Sequence, residues 1–263
     1  MLQICINGAA GRMGRRLVAL VAEAGDLELA AALEAEGHKA CGRDAGEVAG
    51  VGPLGVPITT TIERSPDVAI DFSEPASAVA RAAECADVDA ALVIGTTGLD
   101  ADQVAQLEAI ARSVPCVFAP NMSVGINVLA NLVRQAAEAL GQEYDIEIVE
   151  AHHRFKMDAP SGTALQLGRA AAEGLGEHLD EVAVYGRNGM TGERPTGEIG
   201  IHAVRAGDIV GEHTVTFATL GERIELRHTA HSRDTFVRGA LRAARYVADR
   251  PPGLYSMQDV LGL

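Results

Sequence analysis

Near the amino terminus the chain runs from a short aliphatic stretch, Gln3-Ile4-Cys5-Ile6-Asn7, through Gly8-Ala9-Ala10-Gly11-Arg12-Met13-Gly14 into an apolar helical stretch, Leu17 to Ala24. A buried strand that breaks at glycines and resumes as a helix admits few folds. It is the setting in which backbone amides at a helix start can hold a pyrophosphate. The spacing is G-x-x-G-x-x-G, which departs from the commoner G-x-G-x-x-G, and tight strand-helix packing without a ligand would also use these glycines. The second strand, Leu27 to Leu33, ends at Glu34. An acid at that distance from the loop can accept the hydroxyls of an adenosine ribose, and loop and acid together indicate a dinucleotide site.

The alternation continues. Gly37 to Pro57 reads as an irregular connection with a helical turn near Ala45 to Ala49. Asp67 to Phe72 reads as a strand, Pro75 to Cys85 as a helix, Ala90 to Ile94 as a strand, Ala101 to Arg112 as a helix and Pro115 to Ala119 as a strand. Strands and helices in strict alternation imply a mostly parallel, doubly wound sheet whose ligands lie beyond the carboxyl ends of the strands. Gly95-Thr96-Thr97-Gly98 and Ala119-Pro120-Asn121-Met122 occupy such ends.

After Ser123 the pattern changes. Ile126 to Leu140 reads as a helix and Asp145 to Ala151 alternates like a half-buried strand. That strand delivers Glu150-Ala151-His152-His153-Arg154-Phe155-Lys156-Met157-Asp158-Ala159-Pro160-Ser161-Gly162-Thr163, which holds one of the two lysines of the protein, the other being Lys39. Cations here can bind an anion, a histidine can move a proton near neutral pH, and Ser161 can cap a helix over Thr163 to Leu175. A solvated basic loop ahead of a capped helix has the same composition. A charged, glycine-rich loop, Gly186 to Gly197, precedes three β-prone runs, Ile199 to Val204, Thr214 to Thr219 and Arg223 to Thr229, and the last helix is expected over Thr235 to Ala248. The fold class is therefore α/β: a Rossmann-like doubly wound parallel sheet formed by 1–123 and 234–263, plus a smaller α+β domain, 124–233, with an open, mostly antiparallel or mixed sheet.

Charge sharpens the reading of the basic stretch. A formal net charge of −14 repels polyanions, so neither nucleic acid nor an anionic membrane is an expected partner. A small anion then needs concentrated local positive charge, and 152–156 supplies it. No apolar run is long enough to span a bilayer, and the N-terminus leads into the glycine loop instead of a signal peptide. Four separated cysteines, Cys5, Cys41, Cys85 and Cys116, with no metal-ligand spacing, fit small buried side chains in a reducing compartment. The expected location is cytoplasmic, and no metal is expected.

With these segments in place the chain resembles the dihydrodipicolinate (4-hydroxy-tetrahydrodipicolinate) reductase family nearly end to end. The likeness runs through Gly8 to Gly14, Gly95-Thr96-Thr97-Gly98, Glu150 to His153, Lys156 to Ala164, and Val204 to His213. It implies reduction of 4-hydroxy-tetrahydrodipicolinate, a cyclic dicarboxylate imine, to tetrahydrodipicolinate with loss of water, at the expense of NADH or NADPH, in diaminopimelate and lysine biosynthesis. It further implies a homotetramer, with the second domain as the substrate-binding and oligomerisation domain. By resemblance His152 exchanges the proton, Lys156 is a second proton donor, His153 contacts substrate, and Gly162 and Thr163 receive a substrate carboxylate. On the cofactor side the resemblance gives Gly8, Ala9, Ala10, Gly11, Arg12 and Met13 to the pyrophosphate, Glu34 to the ribose, Gly95, Thr96 and Thr97 to the nicotinamide ribose, and Ala119, Pro120, Asn121 and Met122 to the nicotinamide.

The residue chemistry agrees with those roles. Hydride addition to a conjugated imine leaves negative charge that an acid must neutralise, and a histidine tuned near neutrality can do so. One departure bears on the cofactor. Many members carry an arginine after the ribose acid, where it pairs with the 2′-phosphate of NADPH, but this chain has Ala35. Loss of that contact weakens NADPH by roughly 1–3 kcal/mol unless Arg12, His38 or Lys39 replaces it, so NADH is the expected preference. Two rival readings remain at this stage. Another two-domain nicotinamide dehydrogenase of the acylating kind would need an activated cysteine, and none has a histidine nearby in sequence; a nucleotide-binding sensor would be expected to lose His152 and Lys156.

Overall fold

Strand β1 (Leu2–Asn7) places Ile4, Cys5 and Ile6 wholly out of solvent, as a parallel strand covered on both faces requires. Helix α1 (Arg12–Glu23) begins inside the glycine loop, at Arg12 instead of Leu17. Hydrophobic spacing marks only the buried face, Leu17 to Val21, whereas the first turn carries exposed Arg12, Arg15 and Arg16. Strand β2 (Leu27–Leu33) follows as expected. Helix α2 (Ala45–Ala49) is a single turn held by Asp44, whose carboxylate accepts the amides of Gly46, Glu47, Leu54 and Gly55 and so closes the irregular connection on itself. Then come β3 (Ile58–Thr59), β4 (Val68–Asp71), α3 (Pro75–Ala86), β5 (Ala91–Ile94), α4 (Ala101–Ile110) and β6 (Pro115–Phe118). Pro75 opens α3 where a missing N–H costs nothing, and Asp100 with Gln103 forms a capping box on α4.

The middle of the chain builds a second layer pair. Helix α5 (Val124–Leu140) leads through a 3-10 turn at Gly141–Glu143 to β7 (Asp145–His152), α6 (Gly162–Leu175), the short α7 (Leu179–Val182), β8 (Ala183–Tyr185), β9 (Ile199–Arg205), β10 (Gly211–Thr219) and β11 (Glu222–Ala230). The five-stranded sheet has the order β11-β10-β7-β9-β8 and is mixed: β10 is antiparallel to β11 and β7, while β9 is parallel to β7 and β8. Ile146, Ile148, Ile199, Ile201, Val215 and Phe217 project from one face into a core shared with α5 and α6. The next positions on that face along the same strands are Glu150 and His152 on β7, Ala203 and Arg205 on β9, and Gly211 and His213 on β10. One face of one sheet thus changes from aliphatic to titratable along its length.

The chain then returns to the first sheet with α8 (Asp234–Val247), β12 (Gly253–Tyr255) and α9 (Met257–Leu261). The completed sheet has seven strands in the order β12-β6-β5-β4-β1-β2-β3, every neighbouring pair parallel. The structure, a computed structural model, describes all residues, Met1–Leu263, and separates into a unit formed by Met1–Val124 and Asp234–Gly262 and a unit formed by Gly125–Arg233. Helix α8 buries Val237, Ala240, Leu241, Ala243, Ala244 and Val247 in the same core as Ile4, Ile6, Leu17 and Val18. Two exposed ion pairs, Arg16 with Asp234 and Arg245 with Asp26, join it to the first segment. No helix is long and apolar enough to cross a membrane.

Candidate active site

Because the seven strands are parallel, their carboxyl ends share one edge, and β6, β5, β4, β1 and β2 are consecutive there. That edge gathers Gly8 to Met13, Glu34, Gly95 to Thr97, and Ala119 to Met122. The chain leaves β1 toward β2 on one side while β4 lies on the other, which opens the crevice where dinucleotides bind in such sheets. The glycines are required by geometry. Gly8 has φ +69°, and a Cβ on Gly14 would lie 2.1 Å from the Gly8 carbonyl oxygen. Glu34 is seated on the loop itself, its Oε1 accepting from the Ala10 amide at 2.9 Å. Ala35 and Lys39 are exposed, and His38 Nδ1 accepts from the Ala40 amide at 3.2 Å.

Beneath this edge is a polar knot that sequence reasoning passed over. Buried Asp71, at the end of β4, accepts hydrogen bonds from Asn7 at the end of β1, from the Thr96 hydroxyl after β5, and from Ser73. It ties three loop origins together. Its signal was present: Asn7 and Asp71 are polar residues closing otherwise aliphatic strands.

In the second unit the opening of α6 meets the titratable end of the sheet. Glu150 has no solvent-exposed surface, and its carboxylate accepts from four donors: His152 Nδ1 at 2.6 Å, Arg205 Nη1 at 2.8 Å, Arg205 Nη2 at 2.8 Å and the Ser161 amide at 2.9 Å. Burial pushes the Glu150 carboxyl up, but the bonds from Arg205, His152 and Ser161 outweigh it and hold the group below the usual glutamate range. His152 is displaced downward, chiefly by desolvation, against the upward pull of Glu150. His213 lies across the register from Glu150, with its ring edge-on to His152 at 5.2 Å between centroids and an interplanar angle of 74°. Desolvation, reinforced by His152, lowers His213 to about 3, so it is neutral. Its Nε2 meets the Ser161 hydroxyl at 3.2 Å, and its Nδ1 has no hydrogen-bond partner.

Ser161 caps α6 by accepting from the Ala164 amide at 3.1 Å. An added Cβ on Gly162 would meet nothing within 4 Å, so the helix start offers open space where its dipole favours an anion. Lys156 pairs with Asp158 at 2.9 Å, and His153 has a buried Nδ1 without a partner. The sequence singled out His152, His153, Lys156, Gly162 and Thr163. It gave no role to Glu150, Arg205 or His213, although all three fall in the segments that carry the family likeness. Alternation put Glu150 and His152 on one face, but the strand register that brings Arg205 and His213 beside them was not legible.

Models of the dihydrodipicolinate reductase N-terminus and C-terminus match residues 2–122 and 125–261. The chain is 54% identical to the 4-hydroxy-tetrahydrodipicolinate reductase of Chromohalobacter salexigens, covering 100% of this chain and 99% of that protein. It is 49% identical to the Syntrophus aciditrophicus enzyme of the same name, with coverage of 100% and 99%. Among solved structures, dipicolinate-bound dihydrodipicolinate reductase from Paenisporosarcina sp. TG-14 superimposes with a TM-score of 0.77 at 26% identity, over 98% of each chain. A myo-inositol dehydrogenase from Corynebacterium glutamicum, 15% identical with a TM-score of 0.60 over 96% of this chain and 90% of that one, shares the fold. A chain matched along almost its whole length by both halves of one family model, and half identical to its curated members, belongs to the dihydrodipicolinate reductase family.

Proposed function

We propose that this protein reduces 4-hydroxy-tetrahydrodipicolinate to tetrahydrodipicolinate, with loss of water, in the route to diaminopimelate and lysine. The observation that carries the reading is His152, a partly buried imidazole bonded to an ionised, wholly enclosed carboxylate at one end of a sheet whose remaining inward face is aliphatic. A relay of this kind holds a proton where water does not compete for it. The glycine loop has the form of a dinucleotide loop, with Gly8 at positive φ in the turn and Gly14 letting the helix start pack directly on the loop backbone. When bound, NADH or NADPH supplies the hydride. Gly8 to Met13 would hold the pyrophosphate, Glu34 the ribose, Gly95 to Thr97 the nicotinamide ribose and Ala119 to Met122 the nicotinamide.

The chain's own groups do the rest. His152 donates the proton that neutralises the reduced substrate. The α6 start at Gly162 and Thr163 receives one carboxylate, with His153 as a further contact, and Lys156 exchanges Asp158 for the substrate and serves as second proton donor. The cofactor preference is for NADH, because Ala35 offers the 2′-phosphate of NADPH no cation and Glu34 repels it. The active form is a homotetramer in the cytoplasm, assembled through the sheet of the second unit.

The test is oxidation of NADH, then of NADPH, with the condensation product of aspartate semialdehyde and pyruvate generated in situ. Substrate-dependent turnover with a higher kcat/KM for NADH is expected. Comparable kcat/KM values for the two would overturn the preference, and no turnover by folded protein that binds NADH would overturn the activity.

A further inference from the structure

We infer that Glu150, locked in place by Arg205, is the positioning residue that keeps a hydrogen on His152 Nδ1 and leaves Nε2 as the atom that exchanges a proton with substrate. The inference rests on His152 being the proton donor and specifies what fixes its tautomer. Each oxygen of Glu150 accepts two hydrogen bonds, Oε1 from Arg205 and Ser161 and Oε2 from Arg205 and His152. With two charge-assisted bonds from the guanidinium, the carboxylate is acceptor-only, so the nitrogen 2.6 Å away must carry hydrogen.

The clamp is itself immobilised. Arg205 also donates to the Asp158 carbonyl and to its neighbour Val204, each at 2.7 Å. Strand register pairs Arg205 with His152, so the ladder sets the spacing of charge and ring. An ion pair whose carboxylate is enclosed and whose guanidinium is only partly exposed adds little to stability relative to apolar residues of the same volume, and here it follows Ile148, Ile201 and Val215 along one face of the sheet. Orientation of the ring explains its presence better than stability does. His213, edge-on and neutral, packs against the ring without competing for its proton. On the remaining side Gly211 keeps the Nε2 edge uncrowded, for a Cβ there would stand 3.1 Å from Nε2.

In the transfer the Nε2–H bond of the imidazolium breaks, its electron pair stays on Nε2, and the new bond forms on the substrate as hydride arrives. The ring becomes neutral while Nδ1–H stays on Glu150, and solvent restores the proton afterwards. Desolvation opposes the imidazolium of His152 most, Lys156 in the following loop and Arg205 on β9 oppose it further, and Glu150 on its own strand favours it. Neutral His213 on β10, with His228 paired to it on β11, and Asp158, paired with Lys156, complete the surroundings. Removing the charge of Glu150 leaves Arg205 and Lys156 opposed to protonation, and the alkaline limb of the kcat profile moves to lower pH.

Two measurements test this. In the wild-type protein, ¹⁵N NMR of the imidazoles, with His152 assigned by its absence in His152→Gln, should show the neutral ring protonated on Nδ1. In Glu150→Gln, and in Glu150→Gln/Arg205→Met, which leaves no guanidinium without its carboxylate, kcat should fall by roughly 10²-fold with KM for NADH within about twofold. The alkaline limb should move to lower pH in the same variants. An Nε2–H tautomer in the wild type, or an unmoved alkaline limb in a folded Glu150 variant, overturns the inference and leaves the reading of His152 standing. Full kcat in His152→Gln overturns that reading and the inference with it. Should neither Glu150 variant fold, the tautomer alone decides.

Discussion

Glu147 and Glu150 lie on opposite faces of β7, and both remain ionised because arginines reach them. For Glu147, burial raises the carboxyl, but hydrogen bonds from Arg187, His202 and Arg194 together hold it at about 2. A carboxylate so depressed stabilises the fold fully above its ordinary value of 4.5, and that contribution disappears as pH falls toward 2. His213 acts in the same direction by another route. The unfolded ring takes a proton below 6.5 and the folded ring resists until about 3, so stability declines with acidification across that window. His213→Gln, which keeps an acceptor for Ser161, should therefore flatten the fall of Tm between those limits; an unchanged slope would remove His213 as its source. At the proposed catalytic position, His152→Gln should lower kcat far more than it weakens NADH binding, as steady-state kinetics with fluorescence titration would show. If Lys156 is the second proton donor as proposed, Lys156→Ala should lower turnover and raise KM for substrate together, since proton donor and cation are lost at once. The catalytic candidates were readable because they are contiguous, His152 to Thr163. Their supports, Arg205 and His213, were not, because proximity there is made by strand pairing across about fifty residues of chain.

Close approach between elements explains where sequence periodicity succeeded and where it did not. Long elements announced themselves: β2, α3, α5 and α6 carry enough buried positions for the period to show. The short strands β3, β8 and β12 have two or three residues each and no period to detect, so the first sheet was read without either edge strand, β3 or β12, and the second without its edge strand β8. The start of α1 was missed for the related reason that its first turn is exposed. Glycines let the helices dock closely, Gly14 of α1 on the glycine loop, Gly174 of α6 on α5 and Gly239 of α8 on the loop after β6, and only Gly14 was visible as a motif. Gly239, in the middle of α8, was not, yet a Cβ there would stand 1.7 Å from the Met122 carbonyl oxygen. Gly239→Ala should thus force α8 away from the loop of Ala119 to Met122 and cost at least about 1–3 kcal/mol, measurable by denaturant unfolding. If that loop holds the nicotinamide as proposed, NADH affinity should weaken in the same variant. A variant as stable as wild type would mean that the helix relaxes without loss.

Across the whole molecule, the second unit leaves one sheet face turned away from α5 and α6. On it lie Val149 and Val204, 42% and 44% exposed, among charged and hydroxyl side chains. If this face is the proposed subunit interface, Val149→Glu with Val204→Glu should yield a smaller species by light scattering at micromolar concentration, with each unit still folded. A wild-type monomer under the same conditions would contradict the assembly. The alternating pattern and the change of style after Ser123 made the two-layer plan legible, whereas the partners of an exposed face leave no periodic trace in a single chain. The interruption of the first unit by the second has a further consequence, for the order of events on the ribosome. The segment that emerges first contains six of the seven parallel strands but lacks α8, whose apolar stripe seals their core, and β12, which borders β6. It must wait, incomplete, while Gly125–Arg233, continuous in sequence and with its own core, is synthesised and free to fold. A nascent chain halted after Arg233 should bind a hydrophobic dye strongly, and extension to Leu263 should abolish the binding. The nucleotide half of this protein, first to be made, is the last to be finished.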